Sequence, residues 1–154
     1  MNKKNYTLIY GDLLNADTDF ICHQVNCQGK MGSGVAKAIR ERYPVVYEQY
    51  VEYCSRGRCL GSTQYVQVSD RSGMTPYYVV NMFAQDKYGY DGRQYTSIEA
   101  FKKCLENINK NCAGYTVAFP WKVGCVRGGA DWDEVLSLIC ETLTDVKEIK
   151  FYKI

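Results

Sequence analysis

The sequence predicts a single α/β domain in which helices cover both faces of a largely parallel β-sheet. Short β-rich segments alternate with helical patterns along the whole chain, which is the order typical of a layered α/β fold. The chain has 154 residues, of which 46% are hydrophobic and 23% charged. This size and composition indicate one globular domain, residues 1–154, with a buried core.

Six segments have the composition of β-strands because they are short, apolar and rich in β-branched or aromatic residues. Their predicted limits are 6–10, 20–25, 64–68, 77–82, 115–119 and 148–152. The third and fourth segments are separated by the turn-rich residues 69–73. This spacing predicts an antiparallel hairpin, and therefore a mixed sheet.

Helical patterns lie between these strands, with limits at 35–43, 45–54, 96–111 and 131–143. Pro44 interrupts or restarts the first of them. Thr96 and Glu99 have the spacing of a capping box, with the Thr96 hydroxyl as N-cap, and Asp131 and Glu134 repeat the pattern. The prediction is thus a three-layer α/β/α architecture.

The charge balance favours no polymeric partner. Lys and Arg number 19 and Asp and Glu 17, which gives a net charge of +2 and an isoelectric point near 8.0. A nucleic-acid-binding domain is usually more basic than this. No apolar run approaches the roughly 20 residues of a membrane span, and the start has no apolar signal segment. We expect a cytoplasmic monomer that does not bind membranes.

Eight cysteines would suggest disulfides in a small secreted chain, but most of them lie in apolar segments and no signal peptide precedes them. We therefore expect reduced thiols. No C-x-x-C pair occurs and His23 is the only histidine. The usual zinc frameworks cannot be assembled from these residues, so we expect no metal and no cofactor.

Two glycine-rich segments follow predicted strands and precede predicted helices. We call residues 26–35 the first glycine loop and residues 124–131 the second glycine loop. Ligands of open α/β sheets bind at the carboxyl ends of strands, and free amides at a helix N-terminus bind anions. Two such loops side by side would hold a diphosphate. The competing interpretation is that the glycines only permit tight turns.

The glycine spacing weakens two other functional classes. Gly29, Gly32 and Gly34 form G-x-x-G-x-G, whereas dinucleotide-binding oxidoreductases have G-x-G-x-x-G. Lys30 is followed by Met31, whereas a nucleoside triphosphatase loop supplies Ser or Thr to magnesium at that point.

Three further features are candidates for ligand contacts. Asp12 follows the first strand and would accept hydrogen bonds from an adenine amine or cap a turn. Tyr152, after the core residue Phe151, would offer an aromatic face to a base. The segment Lys87–Tyr95 contains three tyrosines, and we call it the lid segment because such a loop can cover a pocket.

Five short motifs resemble those of the macrodomain family, in that family's own order. They are Gly11-Asp12-Leu13, Ile21-Cys22-His23-Gln24-Val25-Asn26, Met31-Gly32-Ser33-Gly34-Val35-Ala36, the stretch 120–132, and Phe151-Tyr152. The string from Gly124 to Trp132 is most similar to the terminal ADP-ribose glycohydrolases and their bacterial DNA-repairing relatives. The resemblance implies a domain that binds ADP-ribose.

The resemblance also implies a role for each matching residue. Asp12 would receive the adenine amine, Asn26 would contact the distal ribose, and the two glycine loops would hold the phosphates. The implied ligand-binding set is Asp12, Leu13, Met31, Gly32, Ser33, Gly34, Val35, Ala36, Gly124, Cys125, Val126, Arg127, Gly128 and Tyr152. The ligand would be ADP-ribose or a derivative, free or attached to protein or DNA.

His23, Asn26 and Lys87 are the candidates for catalysis. His23 occupies the position of a histidine in the branch that removes phosphate from ADP-ribose 1″-phosphate, and a pKa of about 6.5 would suit a general acid or base. The competing interpretation is a histidine hydrogen-bonded in the core. Asn26 can orient ribose hydroxyls because an amide both donates and accepts hydrogen bonds.

The chain also departs from the glycohydrolase pattern. Lys87 lies one or more positions later than the lysine of that branch, and Gly128 stands roughly where its human-type enzyme has an acidic residue. Asp131 is nearby but suits a helix N-cap. We expect hydrolysis of a phosphate, acyl, aminoacyl or nucleobase-linked substituent from the distal ribose. The alternative is a module that reads ADP-ribose without turnover.

Overall fold

The computed structural model describes residues 3–68 and 77–154. The described strands are β1 (Tyr6–Tyr10), β2 (Phe20–Val25), β3 (Thr63–Val68), β4 (Tyr77–Phe83), β5 (Thr116–Pro120) and β6 (Glu148–Lys153). The described helices are α1 (Gly34–Arg42), α2 (Pro44–Ser55), α3 (Ile98–Asn111) and α4 (Trp132–Thr142), with a 3₁₀ turn at Leu13–Asn15.

These strands form one sheet in the order β1-β6-β5-β2-β4-β3. Every neighbouring pair is parallel except β3 and β4, which pair antiparallel from Thr63 opposite Met82 to Val68 opposite Tyr77. The predicted α/β class and the mixed sheet are confirmed. The predicted hairpin turn at 69–73 lies outside the described residues.

The helices form a layer on each face of the sheet. The side chains of β2 alternate between the two faces of the sheet. Cys22 packs in the core on the side of α3 and α4, whereas Ile21 and Val25 pack in the core on the side of α1 and α2. Successive strand residues point to opposite faces, so His23 lies on the same side as Ile21. His23 therefore faces the layer formed by α1 and α2, which we call the first helical layer.

Pro44 restarts the helix as predicted. Helix α1 ends at Arg42 and α2 begins at Pro44. The first residues of a helix have no intrahelical acceptor for their amides, so proline, which lacks the amide hydrogen, is tolerated at this position.

The second predicted cap is confirmed, since Asp131 accepts a hydrogen bond of 3.0 Å from the amide of Glu134. The first predicted cap is wrong: Ser97, not Thr96, accepts from the amide of Ala100 at 3.1 Å. The Thr96 amide donates to Gly128 O, which holds Thr96 in the loop before the helix.

All eight cysteines are free thiols. Within residues 3–68 and 77–154, no group of three or more His, Cys, Asp or Glu side chains is arranged to hold a metal ion. In the same ranges, none of the helices has both the length and the apolar character that crossing a bilayer would require.

Candidate functional site

A cleft of about 520 Å³ opens between the two glycine loops. The first glycine loop connects β2 to α1, and the second lies between β5 and α4. Strands β2 and β5 are parallel neighbours in the sheet, so the loops that follow them lie side by side. The cleft therefore lies at the carboxyl ends of the parallel strands, where ligands of this fold class bind.

The first glycine loop supplies the N-terminus of α1 to the cleft. Ser33 is the N-cap of this helix but its side chain makes no capping hydrogen bond, and Gly32 to Ala36 line the cleft. Gly34 has a φ of +60°, which glycine adopts without the strain of a side chain. The first amides of a helix have no intrahelical acceptor, so this terminus offers N–H donors and a partial positive charge.

The second glycine loop offers a matching set of donors. Hydrogen bonds from Cys125 N to Lys122 O and from Gly129 N to Cys125 O close its two turns. Between them, the amides of Val126, Arg127 and Gly128 donate to no acceptor in the described part of the chain. Successive free amides in a turn form a concave anion site.

The charges of the cleft agree with these donors. Lys30, Arg40, Lys122 and Arg127 line it, and none of its described lining residues is Asp or Glu. Cationic side chains around a cleft attract and concentrate anions. The cleft is therefore suited to a ligand with several negative charges.

Asn26 lies at the end of β2 with its amide orientation fixed. Its Oδ1 accepts from the amide of Gln28 at 2.9 Å and lies 2.7 Å from Tyr50 Oη, and its Nδ2 donates to Lys30 O at 2.9 Å. Since Nδ2 carries two hydrogens, one remains for a ligand. Asn26 thus both stabilises the first glycine loop and lines the cleft.

His23 lines the cleft but is buried, with 1% of its surface exposed. Its Nε2 lies 2.5 Å from Asn81 Oδ1, and its buried Nδ1 has no hydrogen-bond partner in the described residues. Burial disfavours the charged ring and lowers the pKa of His23 from 6.5 to about 4. This differs from the value expected from the sequence, and it leaves His23 neutral at pH 7 with Nδ1 as an acceptor.

Five residues of the predicted set do not line the cleft: Lys87, Asp12, Leu13, Cys125 and Tyr152. Lys87 is exposed. Asp12 caps the 3₁₀ turn by accepting from the amide of Leu14 at 2.9 Å. Leu13 and Tyr152 are buried in the core beside β2. The structure therefore brings together the predicted phosphate-binding loops with His23 and Asn26, but neither Lys87 nor the predicted adenine contacts.

The lid segment contributes lining residues, among them two of its three tyrosines. Tyr88, Gly89 and Tyr90 line the cleft. The guanidinium carbon of Arg127 lies 4.7 Å from the centroid of the Tyr90 ring, and Tyr90 Oη lies 3.5 Å from Ser33 Oγ. Tyr90 therefore contacts both glycine loops.

Other lining residues were missed at the level of sequence. Arg40 and Tyr47 line the cleft from α1 and α2, and the guanidinium of Arg40 lies 4.3 Å from the Tyr47 ring centroid. Arg40 is four residues after Ala36, on the same helix face, so helical periodicity carried a signal for it. Gln24 and Gln85 also line the cleft. Gln24 lies within one of the five motifs but received no role there, and no motif contained Gln85.

Residues 22–139 match the Macro domain family. The chain belongs to the Macro domain family. The solved structure of the macrodomain of Mycobacterium tuberculosis DarG is 28% identical, covers 96% of this chain and 98% of that chain, and superposes with a TM-score of 0.72. The resemblance stated from the five motifs is thus confirmed.

Two curated relatives of this chain carry enzymatic names. The DNA ADP-ribosyl glycohydrolase of Mycobacterium tuberculosis is 32% identical over 126 residues, which are 81% of this chain and 35% of that protein. The ADP-ribose 1″-phosphate phosphatase of Meyerozyma guilliermondii is 33% identical over 104 residues, which are 58% of this chain and 57% of that protein. The chain thus spans about a third of the glycohydrolase it matches.

Proposed function

We propose that this Macro domain binds ADP-ribose derivatives and hydrolyses a substituent from their distal ribose. The observation that carries the proposal is the pair of donor sets facing one cleft, the α1 N-terminus and the three free amides of the second glycine loop. Each set suits one phosphate of a diphosphate. The names of the two curated relatives support the same ligand.

The distal ribose would lie against Asn26, whose remaining Nδ2 hydrogen is available to a hydroxyl group. Binding of the diphosphate and this contact would hold the anomeric carbon in place for attack by water. We assign proton transfer from this water to His23 Nδ1, since no described Asp or Glu lines the cleft. As a neutral acceptor, His23 would take a proton rather than donate one.

The phosphate-binding residues we propose are the cleft-lining members of the predicted set: Met31, Gly32, Ser33, Gly34, Val35, Ala36, Gly124, Val126, Arg127 and Gly128. We propose Asp12, Leu13 and Tyr152 for the adenine end of the ligand. Since Asp12 Oδ1 already accepts from the amide of Leu14, Oδ2 would accept from the adenine amine. Lys87 stays a proposal for catalysis. Its side chain is exposed and lies outside the cleft lining, so it would reach the ligand only if the lid segment moved.

A second candidate is a module that reads ADP-ribose without turnover. It is favoured by the burial of His23 and by the hydrogen bonds that already occupy most of the Asn26 amide. The carrier of the ADP-ribose, whether metabolite, protein or DNA, stays a prediction, as do the cytoplasmic location, the monomeric state and the single-domain extent 1–154.

Calorimetric titration with ADP-ribose, NAD and ATP tests the ligand. We expect a clear preference for ADP-ribose, and equal affinity for ATP would contradict the proposal. Incubation with ADP-ribose 1″-phosphate, acetyl-ADP-ribose, and ADP-ribosylated protein and DNA tests turnover. At least one of them should be consumed, and more slowly by Asn26→Ala and His23→Gln. No consumption at high protein concentration would favour the reader.

A further inference from the structure

A network of polar side chains lies beneath the second glycine loop. Its centre is Thr96, which is 3% exposed. The Thr96 hydroxyl donates to Gly124 O at 2.7 Å and accepts from Gln24 Nε2 at 2.7 Å. The Thr96 amide donates to Gly128 O at 3.0 Å. One residue outside the loop therefore holds two carbonyl groups of the loop, on either side of its free amides.

Gln24 is oriented by this network. Its Nε2 donates both to Thr96 and to Gln85 Oε1, each at 2.7 Å, while its buried Oε1 has no partner in the described residues. Leaving a buried acceptor unpaired costs free energy. The amide is nevertheless held with its donors toward Thr96 and Gln85. In the other orientation its oxygen would face Gln85 Oε1, which has no hydrogen, and the Thr96 hydroxyl, whose hydrogen already goes to Gly124 O.

The packing at this point leaves no space for adjustment. A Cβ atom at Gly128 would overlap the Thr96 hydroxyl, would lie 2.5 Å from Gly124 O and would lie 2.9 Å from Gln24 Nε2. The backbone of the second glycine loop is thus in close contact with Thr96 and Gln24. If the Thr96 hydroxyl moved, the loop backbone would have to move with it, and the amides of Val126 and Arg127 would change position.

We propose that Thr96, held by Gln24, is a positioning residue that fixes the second glycine loop in the conformation that presents its free amides to the cleft. This inference rests on the proposed function, because it assigns those amides to an ADP-ribose phosphate. Thr96 itself is not among the residues that line the cleft. Its effect on binding acts through the carbonyl groups of Gly124 and Gly128.

Thr96→Val tests the proposal because valine keeps the shape and removes the hydroxyl. We expect the dissociation constant for ADP-ribose to rise about tenfold, because a displaced loop would lose about one hydrogen bond from its free amides to a phosphate. Thr96→Ser restores the hydroxyl and should return the constant to within about threefold of wild type. Binding would be measured by calorimetry, with the melting temperature recorded for each variant.

Thr116→Val is the matched control. The Thr116 hydroxyl also makes two hydrogen bonds, donating to Asp19 Oδ2 at 3.0 Å and accepting from Asp19 N at 2.9 Å. It begins β5 and so lies at the amino end of this strand, whereas the cleft lies at the carboxyl ends of the parallel strands. Thr116→Val should lower the melting temperature and leave ADP-ribose binding unchanged, so a loss of binding through general instability is recognised.

Hydrogen exchange tests the loop without any ligand. Thr96→Val should speed exchange of the amides of Gly129 and Ala130, which donate to Cys125 O and Gly124 O, and Thr116→Val should not. Wild-type protein that fails to bind ADP-ribose would contradict the proposed function. Wild-type binding that Thr96→Val leaves intact, or loop exchange that it leaves unchanged, would overturn the role of Thr96 alone.

Discussion

Gly32→Leu should impair ligand binding without disturbing the fold. Gly32 lines the cleft and is exposed. A Cβ atom there would meet no other atom within 4 Å, and the backbone does not have the positive φ that disfavours side chains. A leucine therefore fits the free protein and occupies space that the phosphates would need.

The two effects differ in size. The cost to the free energy of unfolding should stay within about 0.5 kcal/mol, as for surface substitutions without buried partners. A side chain between the α1 N-terminus and a phosphate would remove hydrogen bonds to a charged group, each worth about 1.5–3 kcal/mol. Loss of two such bonds weakens binding by at least about 100-fold.

Calorimetry with ADP-ribose and thermal unfolding measure these two quantities on the same sample. Ala38→Leu is the matched control, because it adds similar apolar bulk to the exposed face of α1 and Ala38 does not line the cleft. It should leave both binding and stability unchanged. Unaltered affinity in Gly32→Leu, at unaltered stability, would refute the placement of the phosphates against the first glycine loop.

Three further predictions concern other parts of the site. Tyr90→Ala should speed ADP-ribose dissociation about threefold to tenfold in stopped-flow experiments, because it removes the stacked Arg127 contact, whereas Tyr90→Phe should not; equal rates would contradict a lid. Since the pKa of His23 falls from 6.5 to about 4 on folding, the neutral ring stabilises the fold above pH 6.5. This contribution, on the order of 3 kcal/mol, should be lost as the pH falls from 6.5 toward 4, and His23→Gln should show a shallower dependence in denaturant titrations; identical slopes would contradict the buried neutral ring. Asp12→Asn keeps an oxygen for the Leu14 cap and should weaken ADP-ribose binding about tenfold without changing the melting temperature; unchanged affinity would leave Asp12 with the cap alone.

The sequence predicted the elements whose local pattern and tertiary environment agree. Strand β2 has its predicted limits, because it is short and has apolar residues on both faces, which are buried in the sheet. The restart of the helix at Pro44 followed from the chemistry of proline. The cap at Asp131 followed from a carboxylate three residues before a glutamate amide.

The sequence failed to predict features that depend on residues distant in the chain. Thr96 has the spacing of a capping residue, but its hydroxyl bonds Gly124 O, 28 residues away, and no local pattern reveals such a contact. The same is true of the pKa of His23, which depends on burial between the sheet and the first helical layer. Arg40 and Tyr47 were missed because the cleft extends along α1 and α2 beyond the loop itself.

The central claim is that the two glycine loops hold a diphosphate between them, and a crystal structure with ADP-ribose tests it most directly. We expect one phosphate within hydrogen-bond distance of the α1 N-terminal amides and the other within hydrogen-bond distance of the amides of Val126 to Gly128, with the distal ribose at Asn26. ADP-ribose bound outside the cleft, or in it with neither loop contacting a phosphate, would contradict the account.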